Sequence, residues 1–75
     1  MGPNLKKFIL EKLEHDLNSS IGVKSYLEHQ LSMAPEQRVA DESDDDLENN
    51  IKSHAIYIAN LREAIVEINK IDTQI

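Results

Sequence analysis

The most regular feature of the chain is the spacing of apolar residues along its C-terminal half. Seven positions follow one another at alternating steps of four and three residues, and only one of them, His54, is polar. Such steps place side chains on one face of a helix, as in the apolar seam of a coiled coil. The pattern predicts a helix over residues 44–72, with its inner face formed by Leu47, Ile51, His54, Ile58, Leu61, Ile65 and Ile68.

The start of this helix is marked by polar residues. Ser43 is a suitable N-cap, because a serine oxygen can accept a hydrogen bond from a backbone amide of the first turn. The carboxylates of Asp44, Asp45 and Asp46 then lie in that turn, beside unpaired amides and the positive end of the helix dipole. These residues predict that the helix begins at position 44.

The N-terminal half shows the same spacing less regularly. Ser20 and Lys24 interrupt a row of leucines, and residues 18–22 are mostly poor helix formers. Two interpretations follow: one helix over residues 5–32, or two shorter helices that meet at residues 18–22. The apolar row resumes on the same face after the interruption, which favours one helix. The leucines of the row are Leu10, Leu13, Leu17, Leu27 and Leu31.

Residues 33–43 are predicted to form a loop between the two helices. Pro35 disfavours helical geometry at Ala34 and has no amide hydrogen, so the first helix should end near Ser32. Residues 35–37 suit a single helical turn, since proline and acidic residues favour the first positions of a helix. The fold class is therefore all-α. We expect one domain over residues 1–75, an antiparallel hairpin of two long helices.

The second helix has more apolar surface than one neighbouring helix can cover. Its apolar side chains span roughly 240° of the helical circumference, against the stripe of about 100° that a helix packed on one side needs. A chain this short, with no disulfide or metal, rarely builds enough core alone. We therefore expect two hairpins to pair into a homodimeric four-helix bundle. The interface expected on the second helix comprises Ala55, Ile58, Ala59, Leu61, Ile65, Val66 and Ile68.

Composition narrows the range of partners. The chain has 75 residues with 14 acidic and 8 basic side chains, a formal charge of −6. Binding to nucleic acid depends on clustered basic residues, so the excess of acid argues against that partner. The apolar runs are far shorter than the roughly 20 residues that cross a bilayer, and no signal peptide is visible. We expect a cytoplasmic protein that contacts neither nucleic acid nor membrane.

His54 is a candidate polar core residue. A polar side chain at an inward position lowers stability but can fix the register or the partner of a helix. We expect His54 to meet Ser20 or Lys24 of the first helix, or its own symmetry mate in a dimer. Histidine changes charge near neutral pH, which would make assembly pH-sensitive. A partly exposed histidine with one hydrogen bond and no switching role is the competing interpretation.

An acidic run at the start of the second helix is a candidate docking patch. A calcium loop of the EF-hand type needs glycine at its sixth position and glutamate at its twelfth, but a loop starting at residue 41 has Asp46 and Lys52 there. Two interpretations remain: a solvated helix cap, or a patch that steers a basic protein toward the chain. The run comprises Asp41, Glu42, Asp44, Asp45, Asp46 and Glu48.

The sequence contains none of the common signatures of catalysis. It has no cysteine, no glycine-flanked serine nucleophile and no glycine-rich phosphate loop. We predict no catalytic, cofactor or metal site. The expected function is that of a non-catalytic interaction or regulatory protein that self-associates. Two alternatives stay open: a small subunit that packs on another helical protein, and an acidic binder or inhibitor of a basic protein surface.

Overall fold

A computed structural model describes residues 5–40 and 42–71, and all regular structure within them is helical. Helix α1 spans Leu5–Ser32 and helix α2 spans Asp44–Asn69. Lys6 near the start of α1 contacts Ile71 beyond the end of α2, and Ser20 in the middle of α1 contacts His54. The two helices therefore run antiparallel, as a hairpin.

Helix α1 is continuous. Its 28 residues include the weak stretch at 18–22, and Gly22 lies within the helix without a positive φ angle. The structure therefore shows one continuous helix, which is the first of the two interpretations that the sequence left open. Packing of its apolar row against α2 compensates for the low intrinsic helix propensity of this stretch, since tertiary contacts routinely outweigh propensity.

The loop contains the predicted single turn. Pro35–Gln37 forms one turn of 3-10 helix, with proline at its first position, and the Gln37 amide donates to the Ala34 carbonyl at 2.9 Å. The first helix ends at Ser32, three residues before this proline. The chain then crosses to α2 over residues 33–43.

Helix α2 begins as predicted and ends earlier than predicted. The Ser43 side chain accepts a hydrogen bond from the Asp46 amide at 3.2 Å, and all three first-turn aspartates are present in the helix. The prediction that the helix reaches position 72 is wrong, because it ends at Asn69. After Ile68 the next inward position of the seam is Asp72, so a further turn would add a carboxylate to the seam in place of an apolar side chain. Asp72 itself lies outside the described residues.

The hairpin is a thin rod. It measures 53 × 17 × 13 Å and has a radius of gyration of 16.7 Å, against about 11 Å for a compact domain of this length. Its accessible surface is 5471 Å², roughly 800 Å² more than the value of about 4,700 Å² expected for a folded monomer of its mass. Among the described residues, the buried apolar core consists of only Leu27, Leu47, Ile58 and Leu61.

Candidate interaction surface

A hydrogen bond between the helices fixes their register. The Oγ atom of Ser20 lies 2.7 Å from Nδ1 of His54, and Ser20 is only 4% exposed. Ser20 is one of the two first-helix residues expected to meet this histidine. The pair places Leu27 level with Leu47, both of them buried. Ser20 and His54, each of which interrupts the apolar row of its own helix, therefore meet each other across the inner seam.

The hairpin presents two broad faces, one on each side of this inner seam. The first, which we name the tyrosine face, includes Asp16, Ser19, Val23 and Tyr26 of α1 and Tyr57 and Ala64 of α2. The second, the alanine face, includes Ile21, Ser25 and Glu28 of α1 and Ala55, Ala59, Arg62 and Val66 of α2. Each face has a shallow groove where the helices meet.

The groove of the tyrosine face has Val23 and Tyr57 at its rims and the polar Ser20 and His54 at its floor. It encloses about 220 Å³. Val23 and Tyr57 remain 43% and 46% exposed, although they belong to the most central part of the rod. The buried Ser20 and half-buried His54 lie between them. Asp16 and Ser19 complete the groove.

The groove of the alanine face is of similar size, about 240 Å³, but its lining is more charged. Lys24 and Glu28 line it and form an ion pair at 3.2 Å, and Arg62 lines it from the opposite helix. Ala55 and Ile21 supply apolar surface between these charges. A ligand or partner on this side would have to cover ionised side chains.

The predicted interface residues fall into three groups. Ile58 and Leu61 are 7% and 6% exposed because they pack between the two helices of the same chain. Ile65 and Ile68 are half-buried. Ala55, Ala59 and Val66 are exposed on the alanine face, and Val66 is 52% exposed. The hairpin alone therefore covers only the centre of the predicted surface.

Most of the predicted acidic patch is exposed, and one of its members is paired. Asp44, Asp45, Asp46 and Glu48 are exposed, Glu42 is half-buried, and Asp41 lies outside the described residues. The Asp44 carboxylate accepts a hydrogen bond from the Arg38 guanidinium at 2.5 Å. Together with the Ser43 cap, this pairing gives the run a structural role at the start of α2.

Arg38 organises the loop, and the sequence analysis missed it. Its side chain is only 3% exposed and donates to the carbonyls of Gln30, Leu31 and Glu42, at 2.9, 3.3 and 2.9 Å. Two of these carbonyls belong to the last turn of α1, where helical partners run out, although that of Gln30 also accepts from the Met33 amide at 3.1 Å. Buried Gln30 accepts from the Val39 amide at 3.0 Å and holds the loop from the other side. A single arginine within a polar loop gives no pattern from which this role could be predicted.

Lys6 has the corresponding role at the other end of the rod. Its Nζ atom donates to the carbonyl of Ile71 at 2.8 Å and approaches that of Asn69 at 3.4 Å. A lysine near the start of a helix is unfavourable for the dipole of that helix. In an antiparallel hairpin, however, it lies beside the negative end of the neighbouring helix. The antiparallel topology would have been the signal for this role.

The described residues contain no cluster of three or more histidine or acidic side chains that could hold a metal ion. His15 and His29 are exposed on α1, far from His54 in the inner seam. One buried oxygen of Glu42 has no hydrogen-bond partner within the described part of the chain, and it belongs to no group of three or more such ligands there. In the same ranges, neither helix is long and apolar enough to cross a membrane.

The chain was compared with protein-family models, with curated proteins and with solved structures, and none of the three comparisons finds a match. Its function must therefore be argued from its own residues.

Proposed function

We propose that this chain is a non-catalytic interaction protein that works as a homodimer, in which two hairpins form an antiparallel four-helix bundle. The observation that supports this proposal is the apolar surface left open on a rod only two helices thick. Large apolar side chains at least 40% exposed occur on both helices. Those on the two broad faces are Phe8, Val23 and Tyr26 on α1, and Tyr57 and Val66 on α2.

The dimensions of the rod suit such an assembly. One broad face measures 53 × 17 Å, a footprint of about 900 Å². Stable protein interfaces bury about 800 Å² on each partner. A second hairpin laid along one face would thus bury a standard interface. It would also cover the half-buried seam residues at the open end of the hairpin, among them Leu10, Leu13 and Ile65.

The alternative of an acidic binder has weaker support. Asp44 is already paired with Arg38, and the three aspartates of the first turn stabilise α2 through its dipole. These roles account for the acidic run without a partner. A different helical protein would bind the same open surface as a second copy. If the chain is mixed with cell extract, such a partner would appear as a complex of larger mass than the homodimer.

The first test is the molar mass of the purified chain by sedimentation equilibrium. We expect twice the chain mass of 8.5 kDa at high protein concentration. The thermal midpoint should rise with concentration, because association stabilises the folded state by mass action. The dimer should persist at high salt, since apolar contacts are not screened. A mass of one chain at every concentration would contradict the proposal.

A pair of substitutions tests the apolar origin of the assembly. Ile65→Asp places a carboxylate in the half-buried seam, and we expect it to dissociate and unfold the protein together. Ile56→Asp is the matched control, because Ile56 is 64% exposed and points away from the neighbouring helix. We expect that control to retain the wild-type mass and helicity. A folded, monomeric Ile65→Asp protein would show that folding and assembly do not share one core.

A further inference from the structure

We infer that the tyrosine face, and not the alanine face, is the surface through which two copies of this chain pair. This inference rests on the proposed self-association and specifies where it occurs. The interface expected from the sequence includes the other flank, where small Ala55 and Ala59 permit close helix packing. The preference comes from the exposure, charge and position of the residues on the two faces.

The tyrosine face has the larger open apolar side chains. Val23 and Tyr57 line one groove, and Tyr26 follows Ser19 of the same groove by seven residues, so it lies on the same side of α1. The three side chains are 43 to 50% exposed. On the alanine face the corresponding positions hold small Ala55 and Ala59. Tyrosine is enriched at interface positions that dominate binding, because it combines a large apolar area with a polar tip.

The two faces also differ in charge. Interface centres are depleted of charged residues, because covering an ionised group removes its hydration. The groove of the tyrosine face is lined by a single acidic side chain, Asp16, which is paired with Lys12 at 3.6 Å. The groove of the alanine face is lined by three charged side chains, Lys24, Glu28 and Arg62. A second copy centred on the groove of the tyrosine face would therefore cover fewer charged side chains than one centred on the other groove.

The position of the groove suits a two-fold axis. Ser20 is the sixteenth of the 28 residues of α1, and His54 is the eleventh of the 26 residues of α2. These two residues form the floor of the groove, which therefore lies near the middle of the rod. In a two-fold dimer the same patch meets itself. A central patch allows two rods to overlap along their whole length, whereas a patch at one end would leave most of each rod uncovered.

Two substitutions of the same residue type distinguish the faces. Val23 and Val66 are both helical and are 43% and 52% exposed, but they lie on opposite faces. We expect Val23→Glu to raise the dimer dissociation constant by at least tenfold, because Val23 would lie inside the interface. Val66→Glu should change the constant by less than about twofold, because Val66 would lie outside it. Sedimentation equilibrium gives the constants, and circular dichroism confirms that both variants remain helical.

Spin labels give a second test that does not depend on weakening the dimer. The chain has no cysteine, so Ser19→Cys and Ala55→Cys each provide a single labelling site near the middle of the rod. Within a dimer, we expect a short distance between the two labels at position 19 and a longer one at position 55.

The outcomes separate the inference from the proposed function. A wild-type protein that stays monomeric refutes both. A dimer that Val66→Glu dissociates and Val23→Glu leaves intact, or a shorter label distance at position 55, refutes the choice of face and leaves self-association standing. A dimer that neither substitution weakens also refutes the choice of face.

Discussion

The two ends of the rod are held together differently. At the loop end, which comprises residues 24–40 and 42–51, Leu47 is 1% exposed and Leu27 and Gln30 are buried. At the open end, which comprises residues 5–17 and 62–71, none of the described side chains is buried. Both ends have inward apolar residues at the same spacing. Regular spacing therefore determines which side chains face inward, but not how well they are covered.

Polar contacts reinforce the difference between the ends. At the loop end, the nearly inaccessible Arg38 joins the last turn of α1 to the first turn of α2. At the open end, Lys6 makes one short hydrogen bond beyond the end of α2. A single chain therefore completes its structure at the loop end. The open end keeps half-buried isoleucines and leucines that only a further partner would cover.

The largest effect expected to separate the two ends comes from leucine truncation. Leu47→Ala removes a fully covered side chain and should lower the free energy of unfolding by about 3 kcal/mol. Leu10→Ala at the open end removes a half-buried one and should lower it by about 1 kcal/mol. Urea denaturation at a low, fixed protein concentration measures both. Equal losses would mean that the two ends are equally well packed, and the contrast would be wrong.

The next effect concerns the two basic residues that bind helix ends. Arg38→Ala removes the side-chain hydrogen bonds to two carbonyls of α1 and should lower the free energy of unfolding by about 2 kcal/mol. Lys6→Ala removes a more exposed contact and should lower it by less than about 1 kcal/mol.

Arg38→Lys sharpens this test. Lysine retains the charge but cannot donate in several fixed directions, so most of the loss should remain. Recovery of wild-type stability in Arg38→Lys would show that charge alone, and not the hydrogen bonds to Gln30 and Leu31, stabilises the loop end. Urea denaturation of the three variants measures these differences.

These contacts also show which parts of the structure can be predicted from the sequence. The steps of four and three residues predicted two helices, and Ser43 and Pro35 predicted where α2 begins and where the loop turns, because each of these signals is local. The roles of Arg38 and Lys6 depend on backbone atoms that are close only after the chain has folded. The choice between the two faces depends likewise on exposure, which a helical wheel of one helix does not give.

The smallest expected effect lies between the two ends, at His54. If a second copy covers the tyrosine face, it also covers the groove floor where His54 meets Ser20. The serine hydroxyl can donate to a neutral imidazole or accept from a charged one, so this hydrogen bond survives protonation. Burial of a positive charge under an apolar cover is unfavourable, so acidification should weaken the dimer. Asp16 lines the same groove and opposes this effect, although it is already paired with Lys12.

We therefore expect the dimer of the wild-type chain to be weaker at about pH 5.5 than at about pH 7.5. His54→Leu should show a smaller change. His15 and His29 are exposed and remain in that variant, so they serve as internal controls for histidines outside the groove. Sedimentation of both proteins at the two pH values measures the effect. Identical behaviour of both proteins would show that His54 fixes the register of the hairpin without making its assembly sensitive to pH.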